Sequence, residues 1–269
     1  MNIGAAETVR YAEAIRQRIA QLDVANVDIF VLPPFTSLHA ANLSFAGSPI
    51  AIGGQNMHWE NSGACTGEIS APMLLEAGCR YVELAHSERL QHCGETYPCV
   101  KRKVEAAISI GLTPIICLGE TAQEKREGRT DEVLAEQVLT ALAGLPDARV
   151  PDAILAYEPR WAIGGAQAAS PGYVAARHET LRNILRAHRG HDAADCTRII
   201  YGGSVTPENG KEIIHLDHVD GLFVGRAAWQ PEGFAEIIAL VSDAARSQSW
   251  RVKSKDKPCW VDQFNQENS

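Results

Sequence analysis

DAILAYEPRWAIGG, residues 152–165, runs the mostly apolar stretch DAILAY into a carboxylate, Glu158, and follows it with Pro159, Arg160, Trp161 and, shortly after, two glycines. A short apolar run that stops at a charge and a proline reads as a buried strand with a polar mouth. A carboxylate at such a mouth, beside a loop able to close, is held in place and kept from water, as a proton-abstracting base requires. A surface glutamate ending an ordinary strand fits the same letters. The rest of the chain decides between them.

Similar runs recur on both sides. VDIFVLPP (27–34), IAIGGQNM (50–57), YVELAHSE (81–88) and TPIICLGE (113–120) precede it, and RIIYGGSV (198–205) and DGLFVGRAA (220–228) follow. Helical patterns lie between them at Glu7–Leu22, Pro72–Ala77, Cys99–Ile110, Thr130–Leu142, Pro171–Arg189, Pro207–His215 and Pro231–Arg246, several opening on a proline suited to a first turn. Alternation of this kind predicts parallel strands with helical crossovers. Polar and glycine-rich residues gather at the C-terminal ends of nearly every run: Gln55, Asn56, His86, Glu88, Glu120, Glu158, Gly202 to Ser204, Gly225 and Arg226. An open doubly wound sheet concentrates such residues at one switch point, whereas a (β/α)8 barrel spreads them around one rim. The predicted fold is therefore an α/β barrel, one domain over residues 1–246. The first pattern in the chain is a helix, so the barrel so read lacks the strand that closes it. Residues 247–269 are polar, contain a proline and read as a loosely ordered tail.

Composition narrows the function. With 269 residues, 45% hydrophobic and 22% charged, the chain holds ample material for a core. A net charge of −8 argues against a nucleic-acid or anionic-membrane surface. No apolar run approaches a membrane span and MNIGAAETVR does not resemble a secretory leader, which predicts a cytoplasmic protein. The seven cysteines form no CxxC pair and are odd in number, so reduced, mostly structural thiols are expected, with no metal site.

Two further motifs bear on chemistry. His86 ends a strand and is followed by Ser87 and Glu88 at a helix start, where a neutral imidazole is placed to donate to a substrate oxygen. The glycine turns in YGGSVTPEN and GLFVGR end the last two strands, and backbone amides at such turns cradle anions. A histidine satisfied by backbone and turns that merely reverse the chain are the plainer readings.

Taken together, QNMHWENSGACTGEIS, ELAHSERL, ICLGE, AYEPRWAIG, YGGSV and DGLFVGR resemble the triosephosphate isomerase family, in its order and spacing, from about residue 1 to 246. The resemblance implies an aldose-ketose isomerase of glycolysis and gluconeogenesis, interconverting dihydroxyacetone phosphate and glyceraldehyde 3-phosphate through an enediolate without a cofactor or metal. It implies Glu158 as the base and His86 as the neutral electrophile. It implies Gly164 at the lid's phosphate contact, Ser204 and Gly225 at the phosphate turns, and Glu88 and Cys117 in support. Residues 56–68, with Trp59 and Thr66, correspond to the family's interdigitating loop and imply a homodimer.

The chain also departs from the pattern. The family carries an Asn and a catalytic Lys at the end of its first strand, and this sequence goes from Met1-Asn2 straight into the first helix. The expectation is a start upstream of Met1, with a truncated, non-catalytic phosphate-binding relic as the alternative. Arg226 replaces a second glycine of the last phosphate turn and becomes a candidate phosphate partner. Arg160 stands at a hinge position usually small and apolar, and Gly165–Ala168 loosens the lid. MHWE and GR-x-AW resemble the branch acting on tetrulose phosphates such as L-erythrulose 1-phosphate, which keeps three- and four-carbon substrates both open.

Overall fold

A computed structural model describes residues 2–163 and 168–247. Six parallel strands lie side by side in sequence order. They are β1 (Ile29–Val31), β2 (Ile50–Gly54), β3 (Cys79–Leu84), β4 (Thr113–Leu118), β5 (Ile154–Tyr157) and β6 (Arg198–Tyr201).

Strand alternation divides the core into two layers. Tyr81, Ile115, Cys117, Ile154, Ala156 and Ile200 point to the inside of the curled sheet, where Phe30, Leu32, Ala51 and Phe223 pack on them. Val82, Leu84, Ile116, Leu118, Leu155, Tyr157, Ile199 and Tyr201 point outward and join the helices. These are α1 (Ala5–Ile19), α2 (Leu38–Phe45), α3 (Ala71–Glu76), α4 (Ser87–His92), α5 (Tyr97–Ser109), α6 (Ala122–Arg126), α7 (Thr130–Ala141), α8 (Pro171–Cys196), α9 (Pro207–Ile213) and α10 (Pro231–Ser247). Two of them, α2 and α6, were not predicted as helices, and of α4 only the start at Ser87 and Glu88 was, because short elements carry little apolar repeat.

The seventh run does not become a strand. Residues 220–223 follow β6, with Tyr201 N–H donating to Gly221 O at 3.0 Å and Phe223 N–H to Tyr201 O at 2.7 Å, yet the ladder reduces to one bridge, Tyr201 to Leu222. Among the described residues no strand pairs with its far side, and the chain turns away into a 3-10 segment, Arg226–Trp229. The sheet is thus open, while the helices close around it: α1 packs on both α2 and α10, Tyr11 Oη donates to Ala228 O at 2.7 Å, and Arg18 pairs with Glu232. Arg198 Nη1 meets Asp28 Oδ2 at 2.6 Å, joining the edge strands at their N-terminal ends. Between the edges a hollow of about 3170 Å³ opens, lined among others by Ile3, Phe30, Phe223 and Arg226, and continuous with the strand mouths.

Cys65, Cys79, Cys93, Cys99 and Cys117 are free thiols. Cys196 is disulfide-bonded, against the expectation of reduced cysteines. The tail, residues 248–269, lies outside the described residues.

Candidate active site

Glu158 follows β5 directly, and its N–H donates to Leu118 O at 2.7 Å, pinning it against the end of β4. A Cβ on Gly119 would stand 1.9 Å from Glu158 O, so only glycine permits the two strand ends to approach this closely. The Glu158 side chain is buried, and its Oε2 has no hydrogen-bond partner. Burial first, and then the charge of Glu83, hold this carboxyl well above the usual carboxylate range, with a hydrogen bond from Cys117 opposing them.

His86 caps α4. Its Nδ1 accepts from the Glu88 N–H at 3.3 Å, which leaves the proton of a neutral ring on Nε2. Burial lowers its pKa below the ordinary histidine value, against the charge of Glu88, so the ring is neutral at pH 7. Nε2 faces Glu158 Oε2 at 4.0 Å. The preceding Ala85 has φ of 62°, a left-handed conformation costly for alanine and of the kind concentrated at functional sites.

The loop after Glu158 is tied down on both sides. Glu120, fully buried at the end of β4, accepts from Trp161 Nε1 at 2.6 Å, Tyr173 Oη at 2.7 Å and Tyr157 Oη at 3.1 Å. The Lys125 ammonium lies 3.3 Å from the Trp161 ring centre. Ser204 Oγ donates to Ala162 O at 2.7 Å, linking this loop to the turn after β6. Within that turn Tyr201 Oη donates to Gly203 O at 2.9 Å, Asn209 Nδ2 donates to Ser204 O at 3.0 Å, and Ser204 adopts φ of 53°. A Cβ on Gly202 would lie 2.9 Å from Glu158 Cγ and Oε1, so this glycine is the wall against which the carboxylate rests.

The structure therefore brings His86, Glu158, Cys117 and Ser204 to one rim, with Glu88 exposed beside them. Gly225 precedes the 3-10 segment in an open position where a Cβ would meet nothing within 4 Å, and Arg226 is exposed and lines the hollow. Gly164 lies outside the described residues. Thr66 is exposed at the end of a long connection whose base is closed by His58 N–H donating to Ile69 O at 2.7 Å. Trp59 is half-buried, stacked on His58 and covered by the Arg102 guanidinium 4.2 Å from its ring. Arg160 is half-buried, its N–H donating to Glu120 O at 3.0 Å. Sequence reasoning passed over Glu83, which lines the same hollow. Its signal was a charge two residues after Tyr81, on the inward face of a buried strand.

Among the described residues no group of three or more His, Cys, Asp or Glu gathers to hold a metal, and no helix is long and apolar enough to cross a membrane.

Residues 1–241 match the family model described as triosephosphate isomerase. Similar curated proteins include a triosephosphate isomerase of Solibacter usitatus, 41% identical over 233 residues covering 87% of this chain and 93% of that protein. An L-erythrulose-1-phosphate isomerase of Rhizobium etli is 42% identical over 256 residues, covering 93% and 94%. The crystal structure of triosephosphate isomerase from Bartonella henselae superposes with a TM-score of 0.79 at 33% identity, covering 89% of this chain and 95% of the other.

Proposed function

The chain belongs to the triosephosphate isomerase family and is a sugar-phosphate isomerase, and on that premise we propose that it interconverts dihydroxyacetone phosphate and glyceraldehyde 3-phosphate. The observation that carries this reading is the convergence of Glu158 and the Nε2–H edge of a neutral His86 across 4.0 Å. Glu158 removes the proton from the carbon next to the carbonyl. His86 donates to the carbonyl oxygen and then to the enediolate, whose developing charge is the term most in need of stabilisation. Glu158 returns the proton to the neighbouring carbon. This division of roles is the family's known chemistry, and the raised pKa of the base and the lowered pKa of the histidine support its transfer to these residues.

The phosphate lies at the turn of Gly202 to Ser204 and at Gly225, with Arg226 supplying a positive charge from the 3-10 segment. Trp161 and Ala162 anchor the lid, and Gly164 contributes its phosphate contact. Glu88 and Cys117 support His86 and Glu158. The barrel domain spans residues 1–246, with 247–269 a polar tail. The exposed tip around Thr66 reaches a second copy, making a homodimer that works in the cytoplasm, in glycolysis and gluconeogenesis. Sedimentation of Thr66→Arg, which is still folded when this loop is only a surface feature, tests the dimer.

A second reading is favoured by the similarity to proteins named L-erythrulose-1-phosphate isomerase, 42% and 43% identical. Here the substrate is a four-carbon ketose phosphate, handled by the same base and histidine. Parallel assays with the three-carbon pair and with L-erythrulose 1-phosphate separate the two. The preferred substrate is the one with the higher kcat/KM by at least about tenfold, the discrimination that one extra carbon provides at the low end. Binding of a sugar phosphate with no turnover of either substrate overturns the isomerase reading of this chain.

A further inference from the structure

Glu83 is a carboxylate on the inner face of β3, two residues beyond Tyr81, where the neighbouring inward positions of the sheet are apolar. Cys117 on β4 turns its thiol to it, Sγ donating to Glu83 Oε1 at 3.9 Å. The thiol has one proton to give, and Glu158 at the end of β5 is the other carboxyl within its reach. Three adjacent strands thus bring a carboxyl, a thiol and a carboxyl into line, and one oxygen of the second carboxyl, Glu158 Oε2, is buried with no hydrogen-bond partner.

The surroundings supply little to hold two negative charges there. The cation whose charge reaches Glu83 is Arg89 on α4, and its Nε is engaged 3.3 Å from Glu95. Lys103 on α5 is likewise paired with Glu95 and donates to Asn56 Oδ1 at 2.8 Å. Glu88, before the hollow, adds a further negative charge, and His86 is neutral. Glu158 is buried and Glu83 half-buried at the edge of the hollow; two carboxylates in one partly buried site do not both ionise cheaply, and the protons of such a pair come off in two linked steps.

We propose that Glu83 is a positioning residue for the reaction, forming with Glu158 through the Cys117 thiol a two-carboxyl unit that keeps one proton at neutral pH. This rests on Glu158 being the base, as argued above. When the proton is on Glu83, Glu158 meets the substrate ionised, and the nearby second carboxyl makes it a stronger base than burial alone. Loss of the last proton at higher pH leaves a doubly charged site facing a phosphorylated substrate. Burial and the charges of Glu88 and Glu95 push Glu83 up to about 8, and burial together with the charge of Glu83 raises Glu158, in agreement with this.

The experiment is a pH titration of the glutamate carboxyls by carbon-13 NMR on the free, full-length protein, which needs no turnover. Wild type shows two linked carboxyl titrations, at least one of them above pH 7. A single step in the ordinary glutamate range for both groups overturns the proposal even if no variant folds. In Glu83→Gln the Glu158 carboxyl titrates in one step, at least about one pH unit below the upper step of wild type, whereas an unmoved Glu158 refutes the link. Glu83→Asp restores two linked steps.

Two further readouts separate this from a structural role. A group whose pKa is higher folded than unfolded supports the fold below its unfolded value and loses that support as pH rises through the folded value. Glu83→Gln therefore raises the melting temperature at pH 8 more than at pH 5, and an equal change at both refutes the shared proton. KM for the phosphorylated substrate rises above pH 8 in wild type and stays flat in Glu83→Gln. Linked titrations in a protein without isomerase activity sink the functional reading and leave the pair standing, while activity without linked titrations does the reverse.

Discussion

Gly202→Ala tests how closely the base is held. The added methyl stands 2.9 Å from both Glu158 Cγ and Oε1 and 3.2 Å from Phe223 Cδ1, where ordinary contact begins at 3.4 Å. Glu158 is the partner that yields, because its side chain rotates while Tyr157 and Leu118 hold its backbone. The carboxylate must retreat by about 0.5 Å to reach the near edge of ordinary contact, and by about 1 Å for relaxed packing. A misplacement of about 1 Å at a reacting group costs on the order of 100-fold, so the substitution lowers kcat/KM by about 10- to 100-fold, or about 1.4–2.7 kcal/mol of transition-state stabilisation. Gly202 is not among the glycines with positive φ, so alanine brings no backbone strain and the melting temperature stays within a few degrees. A coupled isomerase assay and a thermal melt on the same sample decide the matter. Activity within about twofold of wild type, in a protein that folds normally, refutes the claim that Gly202 forms the wall behind the base.

Three other outcomes follow from the same structure. His178 is fully buried, with Nδ1 on His218 O at 3.0 Å and Nε2 unpartnered, and burial lowers its pKa to about 4. Its folded pKa lies below the unfolded value, so stability falls as pH drops from about 6.5 through 4, by about 3 kcal/mol from this group alone, and His178→Phe flattens that slope in denaturant melts at pH 7, 5 and 4. Arg226→Ala weakens binding of a phosphate-bearing analogue about tenfold, read by calorimetry at low and high salt, and unchanged affinity removes Arg226 from the site. Thr66→Arg converts a dimer to a folded monomer in sedimentation and lowers turnover, whereas an unaltered sedimentation profile rules out the loop as the interface.

Much of the fold was legible because strand and helix periods differ. DAILAY and TPIICL announce themselves as continuous apolar runs, and β4 and β5 appear where those runs lie. The seventh run, DGLFVGRAA, is apolar at its centre yet forms one bridge, since a strand is defined by the partners on its flanks as well as by its own residues. The short helices α2 and α6 escaped, and α4 showed only its start at Ser87 and Glu88. In the site, the residues that end strands were readable from their position. Glu83 was not legible as a site residue, although its parity with Tyr81 places it inside, because a charge within a strand reads equally as an outward, solvated position. The tie from Ser204 Oγ to Ala162 O and the contact of Gly202 with Glu158 join residues more than forty apart, and nothing local encodes them.

The central claim is that Glu158 carries a proton between adjacent carbons. Isomerisation run in deuterium oxide tests it most directly. Wild type is expected to place deuterium on the carbon that receives the proton, because the proton on Glu158 exchanges with solvent before transfer, and Glu158→Gln loses turnover by about 100- to 10,000-fold. Product formed by Glu158→Gln at a rate near that of wild type contradicts the account.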